Sequence, residues 1–61
     1  MNKDINGYPL SVYQVVVDPS GQLLMVEEFL PNGQVKCRNG CMFIYWQSAR
    51  LKRVNYKEDL L

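Results

Sequence analysis

Few residues in this chain have the means to do chemistry. Two cysteines, Cys37 and Cys41, stand four positions apart, two carboxylates, Glu27 and Glu28, are adjacent, and a basic run lies near the C-terminus. Zinc takes about four ligands in a structural site, and the chain offers two cysteines and no histidine. Neighbours on a strand point to opposite faces, so Glu27 and Glu28 cannot flank one bond as acid and base. The glycines fall singly in turns rather than in a phosphate-cradling loop. These absences lead to the expectation of a non-catalytic protein with no metal, no cofactor and no small-molecule substrate.

Two groups of side chains are suited to binding. Arg50, Lys52, Arg53 and Lys57 surround Tyr56. Cations interleaved with an aromatic can grip a phosphate backbone and stack a base. The plainer reading is an edge strand kept from aggregating by its charges, and Glu58 and Asp59 partly cancel the run. The second group is Met25, Phe29, Lys36, Arg38, Phe43 and Tyr45. Aromatic, Met and Arg side chains are enriched in protein interfaces, and an open patch of this kind usually marks a partner site. This is the leading functional expectation: a protein partner, or a second copy of the chain. Nucleic acid bound by the basic segment is the alternative.

Strands must position both groups. Val12–Val17 is rich in β-branched residues, which favour strands. Asp18-Pro19-Ser20-Gly21 suits a type I turn followed by a left-handed glycine, leading into a long strand over Gln22–Leu30. Asn32-Gly33 and Asn39-Gly40 suit type I′ hairpins, which match the twist of paired strands. If both are two-residue loops, Leu30 opposes Val35, Glu27 opposes Arg38, Arg38 opposes Cys41 and Val35 opposes Ile44.

Alternation then sorts the side chains into two faces. One collects Leu24, Val26, Glu28, Leu30, Val35, Cys37, Met42, Ile44 and Trp46, and is the expected core. The other collects Leu23, Met25, Glu27, Phe29, Lys36, Arg38, Cys41, Phe43 and Tyr45, and is expected to stay largely wet. Glu28 is out of place on the core face, and a bulge there would turn it outward. Cys37 and Cys41 fall on opposite faces, which forbids a disulfide, and Glu27 can pair with Arg38 across the strands. The N-terminal decapeptide, through Tyr8, Pro9 and Leu10, has the means to fold over the second face. The two readings are nearly balanced, with an open interface favoured.

After Trp46, Ser48 is placed to cap a single helical turn, and Leu51-Lys52-Arg53-Val54 alternates as a short closing strand. The chain reads as one domain over residues 1–61, with an arm at 1–10 and a tail at 55–61. A chain of 61 residues buries only about 60% of its unfolded surface and has little stability to spare. Its net charge of +1 builds in no long-range pull towards nucleic acid. Polar Asn2-Lys3-Asp4 follows Met1 without an apolar run behind it, unlike a signal peptide. No apolar stretch approaches the ~20 residues that span a bilayer. The expectation is a complete small cytoplasmic protein without membrane contact.

Five short strands, tight central hairpins and one helical turn before the last strand describe an all-β, five-stranded SH3-like barrel. Met25-Val26-Glu27-Glu28 and Pro31-Asn32-Gly33-Gln34-Val35-Lys36-Cys37-Arg38 resemble the core of the small YodC-like bacterial proteins. Those also end in a short closing segment like Leu51-Lys52-Arg53-Val54. The resemblance spans residues 21–38, under half the chain. It implies the SH3-like fold and brings no chemistry with it. Tyr13-Gln14-Val15 stands where that family usually has Gly-Asp, and Asn39-Gly40 replaces the aromatic that usually follows its Cys-Arg pair.

Overall fold

The computed structural model describes residues 2–54. Five strands, β1 (Val15–Val17), β2 (Leu23–Phe29), β3 (Gln34–Asn39), β4 (Met42–Gln47) and β5 (Lys52–Arg53), form one sheet. The order across it is β4-β3-β2-β1-β5 and every pairing is antiparallel. The fold is therefore all-β, with only the 3₁₀ turns Pro31–Gly33 and Ser48–Arg50 as helical pieces among the described residues. The expected closed barrel is not formed: β4 and β5 are the two edges of an open sheet.

The first hairpin forms as its sequence predicts. Asp18 N–H donates to the Gln22 carbonyl at 3.0 Å and Gly21 N–H to the Asp18 carbonyl at 2.9 Å. Gly21 sits at φ +89°, a conformation that suits glycine. Strand β1 is shorter than expected, because Tyr13 adopts φ +70° and Val12 and Tyr13 lie in a turn.

The second hairpin departs from a two-residue loop, and Pro31 gives the reason. A two-residue Asn32-Gly33 turn would be closed by hydrogen bonds between residues 31 and 34, and proline has no N–H to donate. Closure moves out to Leu30, whose N–H donates to the Gln34 carbonyl at 2.8 Å. Asn32 and Gly33 do take the positive φ values expected of them, 68° and 77°. The partner of Val35 becomes Phe29 in place of Leu30.

A bulge between Val26 and Glu28 then shifts the pairing by one more residue, setting Val26 opposite Cys37 and Met25 opposite Arg38, where Glu28 and Glu27 were expected. The two shifts together leave the faces of Leu23–Val26 as alternation predicts. The extra residue flips the faces beyond it. Glu28 turns outward beside Lys36, and Phe29 turns inward beside Val35 to pack on the core. In the third hairpin the loop is Gly40-Cys41 rather than Asn39-Gly40, since Asn39 opposes Met42. Gly40 has φ +63°, and Cys41 is not among the residues at positive φ, the pattern of a turn with glycine at its first central position. Partners shift by two residues, an even number, so the face assignment of β3 and β4 survives: Cys37 opposes Ile44 in place of Met42 and Val35 opposes Trp46 in place of Ile44.

The buried core is Leu10, Val16, Leu24, Val26, Val35, Cys37 and Leu51, with Phe29, Ile44 and Trp46 packed against it. Met42, expected in the core, is 67% exposed at the end of β4, and Leu30 is only half-buried. Leu10 and Leu51 lie outside the strands and cover the inner face of the sheet. Ser48 does not cap the second 3₁₀ turn. The cap position falls on Gln47 without a side-chain bond, and Ser48 is buried as the first residue of the turn, its carbonyl accepting from Leu51 N–H at 3.1 Å.

Two buried carboxylates hold the loops. Asp4 Oδ1 accepts from the N–H groups of Asn6 and Tyr8 at 2.9 and 2.8 Å, and its Oδ2 accepts from Arg53 N–H at 2.9 Å. With Ile5 N–H donating to the Leu51 carbonyl at 2.7 Å, this pins the arm to β5. Asp18 Oδ1 accepts from Ser20 N–H, Ser20 Oγ and Gln22 N–H at 2.7–3.0 Å.

Burial alone would raise the Asp18 pKa. The hydrogen bonds from Ser20 and Gln22 outweigh that and hold it below the usual carboxylate value, with a smaller contribution from the Trp46 indole N–H beside it. That indole N–H is itself buried without a partner at hydrogen-bond geometry. Because the folded value is lowered, the unfolded chain binds more protons between the two values, and stability rises with pH there. The contribution of Asp18 is therefore fully present above the unfolded value, 3.8, and is lost as pH falls through the folded value. Acid titration of stability should show this loss, and Asp18→Asn should flatten the curve in that window while lowering stability at neutral pH.

Candidate functional site

The outer face of the sheet is built by alternation on β1 to β4. One row runs Val15, Met25, Arg38, Phe43, and the next runs Glu28, Lys36, Tyr45. Of the residues expected on this face, Met25, Lys36, Arg38, Phe43 and Tyr45 are brought together. Phe29 is not, because the bulge sends it to the core side. Phe43 and Tyr45 are 44% and 52% exposed. The arm does not cover them: Leu10 is buried in the core on the other face, and Tyr8 stacks under Arg53, with the guanidinium carbon 3.9 Å from its ring centre. Of the two readings of this face, the alternative in which Tyr8, Pro9 and Leu10 close it does not hold.

Charge is arranged around the Phe43 ring. Lys36 Nζ stands 4.1 Å from the ring centre and the Arg38 guanidinium carbon 5.3 Å. Each such contact contributes roughly 0.5–1 kcal/mol at an exposed site. Arg38 also forms an ion pair with Glu27 through Nε. The residue directly opposite Arg38 is Met25, and Glu27 reaches it from the bulge. The pair keeps the guanidinium extended along the face. Beside it, Val15, Leu23, Leu24, Met25, Arg38 and Gly40 line a shallow groove of about 360 Å³.

Leu23 is 64% exposed and belongs to this face, although it was not among the expected binding residues. Its place in the same alternation as Met25 carried the signal. Val15 entered through the β1–β2 register, which the second and third hairpins do not reveal.

Among the described residues of the basic segment, Arg50, Lys52 and Arg53 are not gathered into one surface. Lys52 and Arg53 are consecutive in β5, opposite Val17 and Val16 respectively, so their side chains leave on opposite faces. Arg53 stacks on Tyr8, and the Arg50 guanidinium carbon lies 5.8 Å from the Trp46 ring centre. Tyr56 and Lys57 lie outside the described residues.

The cysteines are free, Cys37 buried and Cys41 exposed, as their opposite faces predict. Burial, and then the nearby Asp18 charge, push the Cys37 thiol up to about 11. A thiolate is the reactive form, so an alkylating reagent should modify one cysteine, Cys41, in the native protein. The second should react only after denaturation, which peptide mapping will show. No group of three or more His, Cys, Asp or Glu is placed to hold a metal among the described residues. Nor is any helix there long and apolar enough to cross a membrane.

No family model, curated protein or solved structure matches this chain.

Proposed function

We propose that this chain is a small non-catalytic protein-binding module, working through the outer face of its sheet. The observation that carries the reading is the row of half-buried Met25 and exposed Arg38 and Phe43, with exposed Tyr45 and Leu23 beside it, on the face opposite a separately formed core. Apolar and aromatic side chains provide the contact, and Lys36, Arg38 and Glu27 around them give a partner its orientation. The strand order β4-β3-β2-β1-β5, with one 3₁₀ turn before the last strand, supports an SH3-like reading of the sheet. It also agrees with the likeness of residues 21–38 to YodC-like proteins. On this reading the module acts in the cytoplasm, with a protein or a second copy of the chain as its partner.

Binding of nucleic acid by Arg50, Lys52 and Arg53 is the second reading. Capture of partners from the native cell separates the two. The retained partner is expected to survive nuclease and high salt and to be lost with Phe43→Ser. Phosphate binding, in contrast, weakens steeply with salt. A partner released by nuclease or moderate salt, and indifferent to Phe43→Ser, overturns the protein-binding reading.

A further inference from the structure

The two edges of the sheet are built differently. β5 is two residues long, and both, Lys52 and Arg53, are charged. Short, charged edges resist pairing with another chain. β4, the other edge, runs six residues, Met-Phe-Ile-Tyr-Trp-Gln, without a charge or a proline. Among the described residues its hydrogen-bonded neighbour is β3 alone. One row of its backbone N–H and C=O groups therefore faces away from the sheet along roughly 20 Å. Met42, Phe43 and Tyr45 stand exposed along it.

We propose that β4 pairs antiparallel with β4 of a second copy, about a two-fold axis at Ile44, joining the two sheets edge to edge. The proposal rests on the reading of this chain as a protein-binding module and names its partner. A two-fold axis normal to the sheet keeps both outer faces on the same side. With Ile44 opposite itself, Phe43 lies opposite Tyr45 of the second copy, twice over, on the outer face. Met42 lies opposite Trp46 of the second copy on the inner face.

These are aromatic–aromatic and sulfur–aromatic cross-strand pairs, which are among the favourable ones. The neighbouring registers lose them: centring on Phe43 sets Tyr45 against Cys41, and centring on Tyr45 sets Phe43 against Gln47. Because β4 carries no charge, pairing places no like charges opposite one another. Lys36 and Arg38 stand one strand in, over Phe43, and stay clear of the seam. The strand is thus self-complementary in the one orientation a two-fold dimer requires. The contact is small beside a standard interface of roughly 1,600 Å², so the dimer dissociates on dilution.

Light scattering over a dilution series, with amide hydrogen exchange on the same samples, tests this on the full chain. The wild type is expected to have the mass of two chains when concentrated and of one when dilute. The β4 amides that point away from β3 should be protected in the two-chain form only. Tyr45→Lys should stay at one chain throughout with its strand circular dichroism unchanged, whereas Met25→Lys, on the outer face away from the seam, should still dimerise. A wild type of one chain at every concentration overturns the proposal. So does a dimer whose outward β4 amides exchange freely, and so does protection of those amides at the mass of one chain. A dimer with a free β4 edge that is abolished by Met25→Lys leaves the outer-face reading standing while edge pairing falls. Failure of the outer-face reading itself shows separately, as a Phe43→Ser protein that binds every captured partner as the wild type does.

Discussion

Leu51→Ala should cost about 2–5 kcal/mol, the range for truncating a buried leucine, a large part of what holds a chain of this length folded. At roughly 0.05–0.15 kcal/mol per residue, a domain of this length has only about 3–9 kcal/mol in total. Leu51 is fully buried, although it belongs to no strand. It sits between the second 3₁₀ turn and β5, where its carbonyl holds Ile5 N–H and its side chain covers the inner face. The space left by truncation is bounded by Val16, Val26, Val35 and the other core residues of a paired sheet, which cannot collapse inward without breaking strand pairing. Urea denaturation followed by tryptophan fluorescence measures the effect, since Trp46 packs on the same cluster. A midpoint shifted by less than Ile-to-Val truncations usually give would mean that Leu51 is not part of the core.

Asp4→Ala is expected to release the N-terminal arm. The substitution removes the acceptor from three backbone N–H groups, those of Asn6, Tyr8 and Arg53, and each donor left buried and unpaired costs about 1–3 kcal/mol. The arm can escape part of that cost by peeling away into water. Doing so removes Leu10 from the core and breaks the bond from Ile5 to Leu51. Loss on the order of 3 kcal/mol is therefore expected, with fast exchange of the Asn6, Tyr8 and Arg53 amides read by NMR. Asp4→Asn should be milder, because the amide oxygen can still accept from Asn6 and Tyr8 while its NH₂ group faces Arg53 N–H. Equal effects of the two variants would show that the arm is held by something other than this carboxylate.

The division of the sheet into two faces was legible because period-two alternation needs only local residue types. Leu24, Val26, Val35 and Cys37 read as interior, and Met25, Phe43 and Tyr45 as exterior, whatever the register. The register itself was less legible. Pro31 carried the correction to the second hairpin, since its missing N–H rules out closure between residues 31 and 34. The bulge was signalled only by Glu28, a charge in an apolar alternation. Its consequence, the inward turn of Phe29, follows from counting one extra residue and was missed. The arm was illegible for a different reason. Asp4 meets Arg53 49 positions away in sequence, and nothing near Asp4 in the sequence announces a partner so distant. Asp18 was half legible: Asp-Pro-Ser-Gly gave the turn, but the burial of its carboxylate against Trp46 depends on how the chain passes from β4 to β5.

Phe43 and Tyr45 stand on an open face and should contribute little to folding. Equilibrium urea unfolding of Phe43→Ser, beside Val35→Ser as the matched core substitution, tests this most directly. Phe43→Ser is expected to unfold in a cooperative transition with a slope like that of the wild type and a midpoint lowered only modestly, by the loss of the Lys36 and Arg38 contacts with the ring. Val35→Ser, at a fully buried position, should be largely unfolded before denaturant is added. An unfolded Phe43→Ser protein beside a stable Val35→Ser protein would contradict the account, because it would make the outer face the core.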